Sequence, residues 1–151
     1  MKLTAKIMDF SNGKSASGRV YDLDALKEAV ETFNKSGNKF GYFADDRERY
    51  MIGDNQIKGE MPIYEAATKV VGDLRFDNET VVGEVELLDT PRGNIAKMLM
   101  EHNIDFKFAP AMLIQQENEL DADGNPVLDE NGEPKKIVTH AEIVGVDIVK
   151  Q

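Results

Sequence analysis

The sequence predicts a mixed α+β domain in which a bent, mostly antiparallel sheet or barrel is flanked by two main helices. Three observations predict this class. Strand candidates, which alternate apolar and polar residues or are rich in β-branched residues, recur along the chain. Two other stretches have helical periodicity and begin at good N-terminal caps. The length of 151 residues fits one domain with one core, so we expect a single domain over residues 1–151.

The N-terminal part of the chain contains one well-defined strand and one well-defined helix. Leu3 to Phe10 alternates apolar and polar residues, which predicts a half-buried strand. Asp22 is placed to cap a helix that runs to about Asn34, and Gly37 favours its end. Its buried stripe is expected to consist of the apolar residues at helical spacing, which are Leu23, Leu26, Val30 and Phe33.

The next segment has the weakest pattern in the chain. Residues 39–44 predict a short strand, and residues 45–64 predict a long irregular loop. Loops of this length are usually functional or mobile. This loop is rich in aromatic and apolar side chains of the kind that anchor a protein partner. These candidate contact residues are Tyr50, Met51, Ile52, Met61, Ile63 and Tyr64.

The central part of the chain predicts a hairpin followed by a capped helix. Strands are expected at 66–76 and 80–88, because both segments are rich in valine. Thr90 is placed to cap a second helix that extends to about residue 101, with Pro91 at its first position, where a missing N–H costs nothing. Its buried stripe is expected to be Ile95, Met98 and Leu99. Further strands are expected at 106–115 and 136–149.

An acidic flap is expected at 119–134, where two turn signals follow each other. No internal repeat is apparent in the chain. The carboxylates of the flap first indicate a calcium loop. In an EF-hand, however, glycine is required at position 6, where proline occurs in both possible registers. We therefore expect a solvated flap without metal, whose charge steers the chain onto a basic partner surface. Its candidate contact residues are Asp121, Asp123 and Asp129.

Composition excludes several classes of function. Acidic residues outnumber Lys and Arg by 28 to 18, which argues against a protein that binds nucleic acid broadly. No apolar run is long enough for a membrane span, and the chain has no cysteine. His102 and His140 are far apart and no phosphate-binding loop is present, so we expect neither a zinc site nor another cofactor.

Several motifs occur in an order that resembles a known family. Leu-Leu-Asp-Thr-Pro-Arg-Gly at 87–93 ends a strand, a helix follows, and the next strand contains Phe-Ala-Pro-Ala at 108–111. Residues 18–30 and 139–147 resemble the early helix and the closing strand of the same family. The family is that of the prohead (head maturation) proteases of tailed phages, which are herpesvirus-assemblin-like. The resemblance implies a prohead-protease-like fold for most of the chain.

The resemblance also implies that the catalytic residues are missing. In the family, the strand after the second helix carries the nucleophilic serine, and Ala109 occupies that place here. An earlier "gly-x-leu-x-his-pro" motif supplies the general-base histidine. The comparable residues here are 41–46, so that Asp45 stands in place of the histidine. A serine hydroxyl needs a neighbouring base to become nucleophilic, and alanine has no oxygen at all.

These features predict an inactive phage structural protein with a decoration or head-assembly role. The expected partners are capsid or other virion proteins, with a possible homo-oligomer, and the expected location is the virion, assembled in the host cytoplasm. One alternative is an active serine protease, either divergent or with an engineered inactivating change. The other is a host-directed binding protein of the same fold. All serines lie in the first quarter of the chain, at Ser11, Ser15, Ser17 and Ser36.

Overall fold

The computed structural model describes residues 1–10, 15, 18–37, 39–49, 51–52, 56–57 and 61–150, and at 51–52 and 56–57 the backbone alone. These residues form strands, three α-helices and a 3₁₀ turn at Ile63–Glu65. The helices are α1 (Leu23–Lys35), α2 (Ala44–Glu48) and α3 (Pro91–Glu101). The strands are β1 (Lys2–Asp9), β2 (Phe40–Gly41), β3 (Met51–Ile52), β4 (Gln56–Ile57), β5 (Thr68–Asp77), β6 (Thr80–Leu87), β7 (Phe106–Asn118) and β8 (Lys136–Lys150).

The strands form a curled, antiparallel half-barrel. One sheet has the order β1-β6-β5-β2, and β7 pairs with β8 in a long hairpin beside it. Register shifts in β1 between Lys6 and Met8, and in β5 between Val71 and Arg75, mark irregularities of the kind that bend a sheet. The predicted class, α+β with a bent antiparallel sheet, is confirmed.

The core lies between the two sheets and under α1. Its main cluster includes Ile7 of β1, Leu26 of α1, Val85 of β6 and Val146 of β8, all with at most 3% of their surface exposed. Helix α1 begins as predicted, because Asp22 accepts a hydrogen bond from the backbone N–H of Asp24.

Both predicted buried stripes contain errors. Leu23 of α1 is exposed, and Ala25 and Ala29 are buried on that helix instead. On α3, Met98 is exposed and Ile95 and Leu99 are only half-buried, whereas Gly93 and Ala96 face the core. Leu23 and Met98 both fit the helical spacing of an apolar stripe. The helices instead turn their small residues towards the sheet, because small side chains allow a closer approach.

Helix α3 begins where the sequence predicted. The Thr90 hydroxyl oxygen accepts a hydrogen bond from the N–H of Gly93 and donates one to the carbonyl of Ala66, at 3.0 and 2.5 Å. The cap therefore also ties the start of α3 to the segment before β5. No helix in the described ranges is long and apolar enough to cross a membrane.

The prediction of a long loop over 45–64 was wrong. This segment contains most of α2, the short hairpin of β3 and β4, and the 3₁₀ turn. The strand predicted over 39–44 is also shorter than expected, since β2 has only two residues. Elements of two to five residues are too short to display a period, so their conformation depends on contacts with distant parts of the chain.

Candidate functional site

Ala109 lies on β7 with its backbone paired to Asp147 of β8. It is half-buried and lines a cavity of about 240 Å³. The same cavity is lined by Arg47 and Glu48 of α2. The lining residues of this cavity within the described part of the chain include no hydroxyl, no thiol and no imidazole. Catalysis by a serine nucleophile requires a hydroxyl and a base in hydrogen-bond reach, and this cavity holds no such pair.

Asp45 lies near the start of α2 and is exposed. It lines a second, more apolar cavity of about 390 Å³ together with Leu99, Ile104 and Phe106. The two cavities have Ala44 and Val149 as common lining residues. The resemblance places the general base at position 45 and the nucleophile at position 109. These two positions line adjacent cavities, which meet where α2 contacts β8.

A buried ion pair holds α2 against β8. The Arg47 guanidinium donates to both carboxylate oxygens of Asp147, from Nε at 2.5 Å and from Nη2 at 2.8 Å. Asp147 also accepts the backbone N–H of Tyr42 at 3.0 Å. Both charged residues are less than 10% exposed, so each depends on the other for its charge to be tolerated.

Two neighbours complete the surroundings of this ion pair. The guanidinium carbon of Arg47 lies 5.0 Å from the centre of the Tyr42 ring, at a distance that permits a cation–π contact. Burial raises the pKa of the Tyr42 hydroxyl, and the charge of Arg47 opposes that rise. On the other side, Gly145 leaves space for the guanidinium, because a Cβ there would lie 2.7 Å from Arg47 Nη2. Asp147 is thus fully engaged in holding the fold.

Asp45 and Asp46 do not form a carboxylate pair. Both belong to α2, and Asp45 is exposed while Asp46 is buried. Asp46 forms ion pairs with Arg49 and with Arg92, whose Nε lies 3.1 Å from Asp46 Oδ2. Arg92 Nη2 also donates a hydrogen bond to Asp46 Oδ1 at 3.3 Å. Asp46 therefore joins α2 to the first turn of α3.

A third cavity, of about 680 Å³, lies between β1 and β7. Ala109 and Pro110 line it on one side. Three cationic residues also line it, which are Lys6, Arg19 and Lys107. Of the serines that the structure describes, Ser15 lines this cavity together with Ala109. The other described serine, Ser36, is the C-terminal cap of α1.

The acidic flap consists of two equivalent loops, so the expectation that the chain has no internal repeat was wrong. Residues 120–127 and 128–135 share the pattern Leu-Asp-x-x-Gly-x-Pro. Both glycines have positive φ, at +82° and +78°. In each loop one oxygen of the aspartate accepts two backbone N–H groups, those of Asp123 and Asn125 for Asp121 and those of Asn131 and Glu133 for Asp129. The two predicted contact residues Asp121 and Asp129 thus stabilise their own loops.

The predicted contact residues of the segment 45–64 are only partly visible. Ile63 and Tyr64 lie on the 3₁₀ turn and are 64% and 70% exposed, and Met61 is half-buried. Tyr50 and the side chains of Met51 and Ile52 lie outside the described residues. The turn lies against α3, and Glu65 is 3.9 Å from the guanidinium of Arg49.

The two histidines lie apart from the cavities around Ala109. His102 is the C-terminal cap of α3 and His140 lies on β8 opposite Gln115, and both are exposed. Among the described residues there is no group of three or more His, Cys, Asp or Glu side chains arranged to hold a metal ion.

Sequence reasoning missed two features of this region. The Arg47–Asp147 pair joins residues 100 positions apart, and no local pattern marks such a contact. The repeat in the flap had a visible signal, since leucine, aspartate, glycine and proline recur with a spacing of eight residues.

Comparison with known proteins bears on the fold. No family model matches the chain, and no curated protein matches it. Among solved structures, the chain is similar to the bacteriophage T4 capsid assembly protease, gp21, with a TM-score of 0.62 and 16% sequence identity. The match covers 99% of this chain and 82% of the T4 protein. At this identity the likeness establishes the fold, which is that of a phage capsid assembly protease, as the resemblance predicted.

Proposed function

We propose that this chain is a catalytically inactive phage protein with the prohead-protease fold, and that it acts by binding capsid or other virion subunits in head assembly or decoration. The observation that carries the proposal is Ala109 on β7. It occupies the strand position at which the resemblance places the nucleophile, and its cavity holds a methyl group where a hydroxyl would be needed.

The charged groups around Ala109 support inactivity in a second way. Asp147 lies directly across from Ala109 on β8, but both of its carboxylate oxygens accept hydrogen bonds from Arg47. The carboxylate paired across from Ala109 thus helps to fix α2, and this role is sufficient to explain its burial.

The alternative of an active protease would have to use another serine. Ser15 is the candidate in the described part of the chain, because it lines the cavity between β1 and β7 together with Ala109, Lys6 and Lys107. Ser15 therefore provides the variant that separates the two functions: if the chain has peptidase activity through this residue, Ser15→Ala abolishes it.

The exposed 3₁₀ turn is the surface that we propose for contact with a virion subunit. Ile63 and Tyr64 are large, mostly apolar and more than 60% exposed. Tyrosine is enriched at the energetic centres of protein interfaces. Next to the turn, the Thr90 hydroxyl donates to the carbonyl of Ala66 and fixes the chain at that point. An anchored turn loses little conformational entropy on binding, which favours affinity.

Sedimentation with assembled capsids of the phage that encodes the chain tests this function. We expect wild-type protein to co-sediment with the capsids at a fixed ratio to the capsid subunit. The double variant Ile63→Ser/Tyr64→Ser should bind at least about tenfold more weakly, which corresponds to about 1.4 kcal/mol. The matched control is Leu23→Ser, because Leu23 is an exposed apolar residue on α1, in another part of the fold.

Two outcomes would contradict the proposal in different ways. If the wild-type chain does not sediment with capsids at any concentration, binding to the particle is wrong and a host-directed partner becomes the better explanation. If the double variant binds like wild type and Leu23→Ser does not, the chain binds the particle through α1 instead of the 3₁₀ turn.

A further inference from the structure

The flap, residues 119–134, concentrates the negative charge of this protein. It contains six carboxylates and no lysine or arginine, whereas the whole chain has a net charge of −10. Its two loops also present one leucine each, and these leucines, Leu120 and Leu128, are 58% and 56% exposed. Leucine at equivalent positions of two loops gives the flap two apolar anchors within an acidic surface. The acids are Glu119, Asp121, Asp123, Asp129, Glu130 and Glu133.

The flap is held in one conformation by its backbone. Glu119, Val127 and Lys135 form a closed ring of three backbone hydrogen bonds, each 2.8 Å long, at the base of the two loops. Asp121 and Asp129 then close each loop with their side-chain oxygens. Since the loops are already ordered, docking them against another surface costs little conformational entropy.

A surface of opposite charge exists on the same protein. We use the term basic groove for the cavity between β1 and β7, which is lined by Lys6, Arg19 and Lys107 and by the apolar residues Phe108, Pro110 and Met112. One carboxylate, that of Asp9, also lines the groove, so its described lining has three positive charges and one negative charge. Within the described ranges, no ion pair joins Lys6, Arg19 or Lys107 to a carboxylate.

The flap does not line the basic groove of its own chain. The groove lies at the start of β7, around Lys107 to Met112, and the flap follows the end of that strand at Asn118. From Met112 to Asn118 the strand is paired with β8 apart from its bulge. At about 3.4 Å per residue, this separates the two surfaces along β7 by roughly 20 Å. The groove is therefore open to the flap of a second molecule.

We propose that the flap of one copy docks into the basic groove of a second copy. The carboxylates at the loop tips pair with the three cations, and the exposed leucines cover the apolar residues of the groove. Such a contact joins two different surfaces, so it closes a two-fold dimer if two copies exchange flaps and otherwise builds a ring or an open row of molecules. It requires no capsid protein and is therefore independent of the proposed binding to virion subunits.

Sedimentation velocity of the isolated full chain tests this proposal. We expect the mean mass to rise with protein concentration at about 0.1 M salt and to fall towards the monomer at about 1 M, because the screening length drops from about 10 to about 3 Å. The flap variant is Glu119→Lys/Asp123→Lys/Glu130→Lys/Glu133→Lys, which leaves two negative charges and adds four positive ones, and keeps Asp121 and Asp129, the residues that close the loops. The groove variant is Arg19→Glu/Lys107→Glu.

Each variant alone should associate at least about tenfold more weakly than wild type. The charge reversals also create a discriminating mixture. The flap variant supplies positive loops and the groove variant supplies a negative groove, so the two should associate with each other when mixed. A third variant, Leu120→Ser/Leu128→Ser, should weaken association at about 0.1 M salt, because it removes apolar contact and leaves the charges unchanged.

Three results would overturn the proposal. The first is a wild-type chain that stays monomeric at millimolar concentration in low salt. The second is association that the groove variant does not weaken, which would assign the flap to another surface. The third is a mixture of the two variants that associates no better than either variant alone. Circular dichroism of each variant verifies that the fold is retained, so that lost association reports on the contact.

Discussion

Arg47→Met should lower the free energy of unfolding by about 3–5 kcal/mol, the range found when one partner of a buried ion pair is removed. Methionine leaves Asp147 buried at 3% exposure without its cation. The charge then has only the N–H of Tyr42 as a described hydrogen-bond donor. Urea denaturation followed by circular dichroism measures the loss.

A second substitution separates the charge from the packing. In Arg47→Met/Asp147→Asn both charges are absent, and the asparagine oxygen still accepts the N–H of Tyr42. We expect the double variant to be more stable than Arg47→Met alone, because no charge is left buried without a partner. Arg75→Met, on the exposed face of β5, is the control and should change stability by less than about 0.5 kcal/mol.

The ion pair would not explain the position of α2 if Arg47→Met cost less than about 1 kcal/mol. The same conclusion would follow if adding Asp147→Asn made the single variant less stable. Either result would mean that the contact between α2 and β8 depends on apolar packing around Phe43 and Ile148 instead.

Gly41→Ala should prevent stable folding. A Cβ at this position would lie 1.8 Å from the carbonyl oxygen of Val146 and 2.2 Å from the hydroxyl oxygen of Thr68. Thr68 itself is fully buried and donates to that same carbonyl at 2.8 Å. The colliding atoms include backbone, which cannot rotate away, so we expect a loss of more than about 4 kcal/mol.

Gly37→Ala provides the matched control for this substitution. Nothing lies within 4 Å of a Cβ built at Gly37, and its backbone does not require glycine. Thermal unfolding should therefore show a transition near that of wild type for Gly37→Ala and none, or one at much lower temperature, for Gly41→Ala. A Gly41→Ala protein that melts within a few degrees of wild type would contradict the close approach of β2 to β8.

The features that the sequence predicted correctly are those with a local cause. The start of α3 is marked by the cap at Thr90 and by Pro91, which follows it at the first position of the helix. The valine-rich segments predict β5 and β6, because β-branched side chains fit a pleated surface. These signals depend on neighbouring residues, so they are visible without any knowledge of the fold.

The features that the sequence did not predict depend on distant contacts. Helix α2 has five residues and is held by Arg47 and Asp46, whose partners lie on β8 and α3. The exposure of Leu23 and Met98 depends on how closely each helix approaches its sheet, and helical spacing cannot report that distance. The predicted pairing of Asp45 with Ala109 came from motif order, and the structure places these residues at adjacent cavities.

Intact-mass spectrometry of a cleavage reaction tests directly whether this protease fold has lost its chemistry. The wild-type chain is incubated with the major capsid and scaffold proteins of its own phage, beside Ala109→Ser/Asp45→His and Ser15→Ala. We expect every protein to keep its full mass in all three reactions. The restored pair should also be inactive, because oxyanion donors must be placed to about half an ångström. Specific fragments made by the wild-type chain and abolished by a serine-protease inhibitor would contradict inactivity, and their loss in Ser15→Ala would identify the nucleophile.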